Sequence, residues 1–85
     1  MADLIEAQLN NAIASFDGRV LEVFVIHVSG SVRYHVSLLS ACEIDDNILT
    51  VTYRDRDAGF WPFDEQQRPQ VEALVSAVTA ARGST

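Results

Sequence analysis

The chain contains no lysine, and its six arginines, at positions 19, 33, 54, 56, 68 and 82, are outnumbered by twelve carboxylates, leaving a net charge of -6. A field of that sign repels phosphate, which argues against nucleic acid and anionic membrane surfaces as partners. Cysteine is nearly absent as well. Cys42 is the only one, so neither an intramolecular disulfide nor the paired thiolates of a zinc ribbon supports the fold. No stretch approaches the ~20 apolar residues that cross a bilayer. The opening MADLIEAQLNNAIASF, with two acids and no base, lacks the layout of a secretory signal. The expected location is cytoplasmic. Glycine-rich phosphate loops, serine elbows and histidine-rich helices are also missing, so the expectation is a non-enzymatic protein without a cofactor.

What the chain does have is apolar material, 48% of 85 residues, enough for one small packed domain over residues 1–85. Ile5, Leu9, Ala12, Ile13 and Phe16 recur at helical spacing behind Asp3, a capping residue, and predict an N-terminal helix that Asp17 and Gly18 end. From Arg19 the period drops to two. Val20, Phe24, Ile26 and Val28 are assigned to the core face of a strand, with Leu21, Val23, Val25 and His27 facing outward. SVRYHVSLLSACEI keeps one parity throughout and reads as a single long, bent strand. Asp46 and Asn47 tolerate the positive φ angles of a tight hairpin, and that turn sets Ile44 opposite Leu49, Cys42 opposite Val51 and Ser40 opposite Tyr53. A short strand, GFWPF, follows. Its Pro62 cannot donate a ladder hydrogen bond and so belongs at a sheet edge. Pro69 suits the start of a closing helix over about residues 69–81, with Val71, Leu74, Val75 and Val78 as its apolar stripe and Arg82 and Gly83 at its end. The expected fold class is α+β: an N-terminal helix, a four-stranded antiparallel meander and a C-terminal helix.

Two histidines flank a turn in HVSGSVRYH. A loop of Ser29, Gly30 and Ser31 pairs Val28 with Val32, Ile26 with Tyr34 and Phe24 with Val36. It also puts His27 opposite Arg33, with His35 diagonal to His27 on the outer face. Diagonal neighbours ~7–8 Å apart can share a metal, but such a site wants three or four ligands and Arg33 lies between these two as a cation. His27 and His35 are therefore read as surface groups, with a metal pair as the alternative. Cys42 falls on the core face as an inert thiol. Asp45, Asp46, Asp55 and Asp57 read as turn residues.

The aromatic stretch is the more informative one. Hairpin parity places Trp61 and Phe63 with Tyr53 on the core face and leaves Phe60 and Pro62 outward, beside a sheet face bearing Leu21, Val23, Val25, Leu39 and Ala41. A contiguous exposed apolar patch marks a contact surface, so Phe60, Pro62, Val23, Val25 and Leu39 are the candidate interface. The expected function is protein binding or self-assembly, as a homodimer. The alternative is a small-ligand or metal-responsive protein using a cleft between the sheet and the first helix.

The succession of VRYHVSLLSACEI, a hairpin to ILTVTY, the aromatic FWPF and the closing helix PQVEALVSAVTAA resembles the second half of pleckstrin-homology-like domains, the small bacterial ones above all. The likeness covers about residues 32–82. It implies a half-barrel scaffold used for protein contacts or self-association, without catalysis. A full domain of that class has seven strands where four are counted here, and the basic loop of its lipid-binding members has no counterpart.

Overall fold

In the computed structural model, which describes residues 4–26 and 30–83, the N-terminal segment is an antiparallel hairpin of β1 (Ile5–Gln8) and β2 (Ala12–Phe16), not the helix its spacing predicts. The helical period is an alias. Ala7 and Leu9 alternate with polar residues up to Asn10, Ala12, Ala14 and Phe16 alternate after Asn11, and all five are buried. The two asparagines, residues that favour turns, shift the phase between these runs. The turn closes where the Leu9 N–H donates to the Ala12 carbonyl at 2.8 Å. Asp3, assigned as the helix cap, lies outside the described residues.

Asp17 then builds the next turn, its carboxylate accepting the Arg19 and Val20 N–H groups at 2.9 Å each, with Gly18 at φ 100°. β3 (Val20–Val25) and β4 (Ser31–His35) complete a four-stranded sheet in the order β1-β2-β3-β4. The facing of β3 is the reverse of that expected: Leu21 and Val23 are buried and Phe24 is exposed. Phe24 pairs with Ser31 and Leu21 with Tyr34. That is an odd-numbered shift from the expected register, and it turns the side chains of β3 over while Tyr34 of β4 stays on the core face. Glu22 supplies the reason. It shares parity with Val20 and Phe24, so the expected facing would have buried a carboxylate. Outward, Glu22 accepts from Ser31 Oγ at 2.7 Å and Arg33 Nε at 2.8 Å.

The supposed long strand is broken by a 3-10 turn at Val36–Leu38. The Val36 N–H donates to the carbonyl of Arg19, just before β3, and the Leu38 carbonyl accepts from the N–H of Arg54, in the turn after Tyr53. Beyond it, β5 (Leu39–Asp45), β6 (Ile48–Tyr53) and β7 (Arg56–Pro62) form a second, three-stranded sheet. Ile44 faces Leu49 and Cys42 faces Val51, the register that the Asp46 and Asn47 turn specifies, but a bulge between Leu39 and Ala41 puts Leu39 opposite Tyr53. β7 begins earlier than GFWPF, because Arg54 and Asp55, both at positive φ, make a tight two-residue turn.

α1 (Arg68–Gly83) buries Val71, Leu74 and Val78 and packs on β1 and β5. Arginines fasten both ends. Arg68 donates to the Asp46 carbonyl at 2.9 Å and to Asn47 Oδ1, and its guanidinium lies 5.4 Å from the Phe63 ring centre. Arg82 donates to the carbonyls of Leu39, at 3.1 Å, and Ser40, at the β5 bulge. The described chain is thus seven strands in two antiparallel sheets with one C-terminal helix, which replaces the N-terminal helix and four-stranded meander. Among the described residues no helix is long and apolar enough to cross a membrane.

Candidate protein-contact surface

The outward face of the second sheet is set by how firmly its inward face is held. Trp61 opposes Leu49 and turns its indole over Gly59, where a Cβ would meet the ring at 2.0 Å. Tyr34, from the first sheet, meets Trp61 edge-on at 6.1 Å and Tyr53 at 5.3 Å, and its hydroxyl donates to the Ala58 carbonyl at 3.4 Å. Phe63 is buried as well. With its odd positions anchored in this way, the strand presents Phe60 and Pro62 to the other side, as hairpin parity predicts. Phe60, opposite Thr50, is 61% exposed; Pro62 lies opposite Ile48, itself 38% exposed.

Pairing register extends these rows across the sheet. Glu43 continues the row of Thr50 and Phe60, Asp45 that of Ile48 and Pro62, and Asp57 ends the row of Ala41 and Thr52. The three apolar side chains are therefore bordered by three carboxylates, and no basic residue stands in those rows. Arg68, which reaches the turn at one end, is engaged by Glu65 at 3.2 Å and Glu72 at 3.7 Å.

β7 is an edge strand, yet its edge is guarded. The Ala58 carbonyl takes the Tyr34 hydroxyl, the Pro62 carbonyl accepts the Asn10 N–H at 3.0 Å, and Pro62 has no N–H to give.

Of the residues assigned to the interface from sequence, only Phe60 and Pro62 come together here. Val23, at 0% exposure, is in the core of the first sheet, and Leu39, at 6%, is buried too; Val25 is partly buried at the end of β3. The reversed facing of β3 turns Val23 and Val25 to the side of Ala14 and Ala12, away from any outer patch, and the β5 bulge turns Leu39 inward. Ile48 was missed, although its parity opposite Leu49 and Val51 in the hairpin register marks it as outward. Phe24, Ile26, Val32, Leu38 and Leu4 are further exposed apolar residues that an inverted β3 and an unbroken fourth strand conceal.

His35 is exposed, and its Nδ1 lies 2.8 Å from Ser37 Oγ and accepts the Ser37 N–H at 3.3 Å, which starts the 3-10 turn. His27 lies outside the described residues. Arg33, expected between the two histidines, pairs with Glu22 instead. Among the described residues no group of three His, Cys, Asp or Glu side chains could hold a metal. Without a first helix there is no cleft between it and the sheet. The outer face of the first sheet has an open hollow of about 260 Å³ lined by Leu4, Ser15, Asp17, Val20, Glu22 and Arg33. Its charged groups are already committed. Asp17 is held below the usual carboxylate range by the Val20 and Arg19 N–H groups, and Glu22 by the Ser31 hydroxyl and Arg33. Burial pushes the Cys42 thiol up to about 11, which leaves it protonated and unreactive at neutral pH.

No protein-family model, curated protein or solved structure matches the chain.

Proposed function

We propose that this chain is a non-catalytic binding module on a pleckstrin-homology-like scaffold, and that it contacts another protein chain through the outer face of its second sheet. The scaffold reading is supported by the architecture: four strands, then three, then a single C-terminal helix, so the strand count is no longer a departure from that class. The contact reading rests on Phe60, a large aromatic side chain held in the open, one row from Ile48 and Pro62, because its neighbours Trp61 and Phe63 are committed inward. Aromatic residues of this kind are the usual anchors of protein interfaces.

A second copy is the occupant that the homodimer expectation names, and sedimentation velocity over a wide concentration range tests it. Association of the wild type that disappears in a folded Phe60→Ser variant is the outcome expected of self-assembly through this face. Equal association in both refutes the assignment of Phe60. A monomer at every concentration removes the homodimer and leaves a different protein as the partner.

A further inference from the structure

The charge around Phe60 says what kind of chain fits there. Resting on the contact reading above, we infer that the outer face of β5, β6 and β7 takes a basic segment of another protein, one with an apolar anchor flanked by lysine or arginine. Phe60, Ile48 and Pro62 supply the apolar strip. Glu43 and Asp45 stand on β5, two strands from Phe60 and Pro62 in the same rows, and Asp57 closes the third row. Adjacent strands are ~4.8 Å apart, so a partner side chain seated on Phe60 has carboxylates within the reach of a neighbouring lysine or arginine. Basic groups of the chain itself do not neutralise the rows of Phe60 and Pro62. Arg54 lies in the turn at the far end of the sheet and Arg56 at the start of β7, beside Asp57 alone of the three carboxylates, and Arg68 is taken by Glu65, Glu72 and the Asp46 and Asn47 turn.

The same rows disfavour a second copy. A two-fold contact on this face sets each copy's Glu43, Asp45 and Asp57 against an identical set, between molecules that each carry -6, at separations inside the ~8 Å over which physiological salt screens charge. Strand addition at the β7 edge, beside Phe60, is hindered because the Ala58 and Pro62 carbonyls are occupied and Pro62 has no N–H. What remains is a side-chain contact whose strength falls with salt and which requires both charge and an apolar anchor.

The probes are three capped octapeptides, alternating leucine–lysine, serine–lysine and leucine–glutamate, titrated into the isotope-labelled protein while backbone amide shifts are followed. The leucine–lysine peptide is expected to move the amides of Ile48, Thr50 and Phe60 and to bind ~10-fold or more tightly than either control. Phe60→Ser should weaken it by ~10-fold or more, as loss of an aromatic anchor does, and Phe60→Leu should recover most of that. Glu43→Gln with Asp45→Asn should lower the affinity several-fold and flatten its salt dependence. All of these sites are exposed, and unchanged tryptophan emission verifies that each variant is folded. Equal binding of the leucine–glutamate peptide, shifts that map to another face, no binding, or indifference to Phe60→Ser overturns the inference. Self-association through Phe60 without a preference for the basic peptide overturns it too, but leaves the contact reading standing. If Phe60→Ser alters neither sedimentation nor peptide binding, both fail.

Discussion

Replacing Gly59 with alanine should drive the indole of Trp61 off the sheet. A Cβ at position 59 would lie 2.0 Å from one ring carbon of Trp61, 2.3 Å from a second and 2.7 Å from a third, all far below van der Waals contact. The backbone at Gly59 is paired with Val51 and cannot retreat without breaking the ladder, so the ring must move. Trp61 is only partly buried, and its open side is water. A large aromatic side chain buries ~150–250 Å²; swinging this one outward re-exposes on the order of 100 Å², worth about 2.5 kcal/mol at ~25 cal/mol per Å². Loss of the edge contact with Tyr34 adds ~0.5–1.5 kcal/mol. A domain of this length has a total stability of only ~4–13 kcal/mol, so Gly59→Ala should remain folded but melt ~12–30 °C lower. Trp61 is the only tryptophan, which makes its fluorescence specific. Emission should shift to the red in the folded variant, and a thermal melt should give the drop in stability. A variant with the wild-type emission maximum and melting temperature would show that the indole does not rest on Gly59, and with it would go the explanation of why Phe60 faces outward.

Three further outcomes test the packing. The facing of β3 predicts that Leu21→Ala costs ~2–5 kcal/mol in denaturant melts while Phe24→Ala stays within ~0.5 kcal/mol; the opposite ranking would restore the parity expected from sequence. Removing the guanidinium in Arg82→Met strips the Leu39 and Ser40 carbonyls of their donors at the β5 bulge. This should cost ~1–3 kcal/mol, with amide exchange rising first in the last turns of α1, and an unaltered exchange profile would refute the clamp. Asp17 and Glu22 have lowered pKa values in the fold, so the unfolded chain protonates first. Their contribution is complete above the ordinary carboxylate pKa of ~4 and is lost as pH falls through the lower folded values. The melting temperature should decline in that acid range, and less steeply in Asp17→Asn/Glu22→Gln.

The second half of the chain was more legible than the first, for identifiable reasons. Asp46 and Asn47 fix a turn by their own backbone preferences, and the alternation on either side agrees with them, so the β5–β6 register and the outward placing of Phe60 follow from local chemistry. The apolar stripe of α1, from Val71 to Val78, repeats at helical spacing over two turns, and Pro69 and Gly83 mark the ends around it. In the first half the signals were short and ambiguous. Two strands of four and five residues, joined by a turn that shifts their alternation, mimic a helical period. The facing of β3 depends on one residue, Glu22, whose partners Ser31 and Arg33 lie nine and eleven positions away and become evident only once the register is known. The break at Val36–Leu38 was hidden because parity runs through it unchanged. Of the candidate surface, the anchor and its proline were readable. The carboxylate rows beside them needed three strands in register at once.

That break has a consequence for how the molecule is held together. Every strand in the first sheet pairs with its immediate neighbour in sequence, the same is true of the second, and among the described residues no ladder passes from one side of Val36–Leu38 to the other. A chain severed at this turn would therefore keep all of its strand pairing, one sheet in each fragment. The fragments would still be drawn together by α1 against β1, by the Tyr34 ring and hydroxyl, and by the Asn10 bond to Pro62. The covalent link at this point serves mainly as a tether, worth the millimolar effective concentration of a short connection, and two separately produced halves should find each other in solution and rebuild the whole.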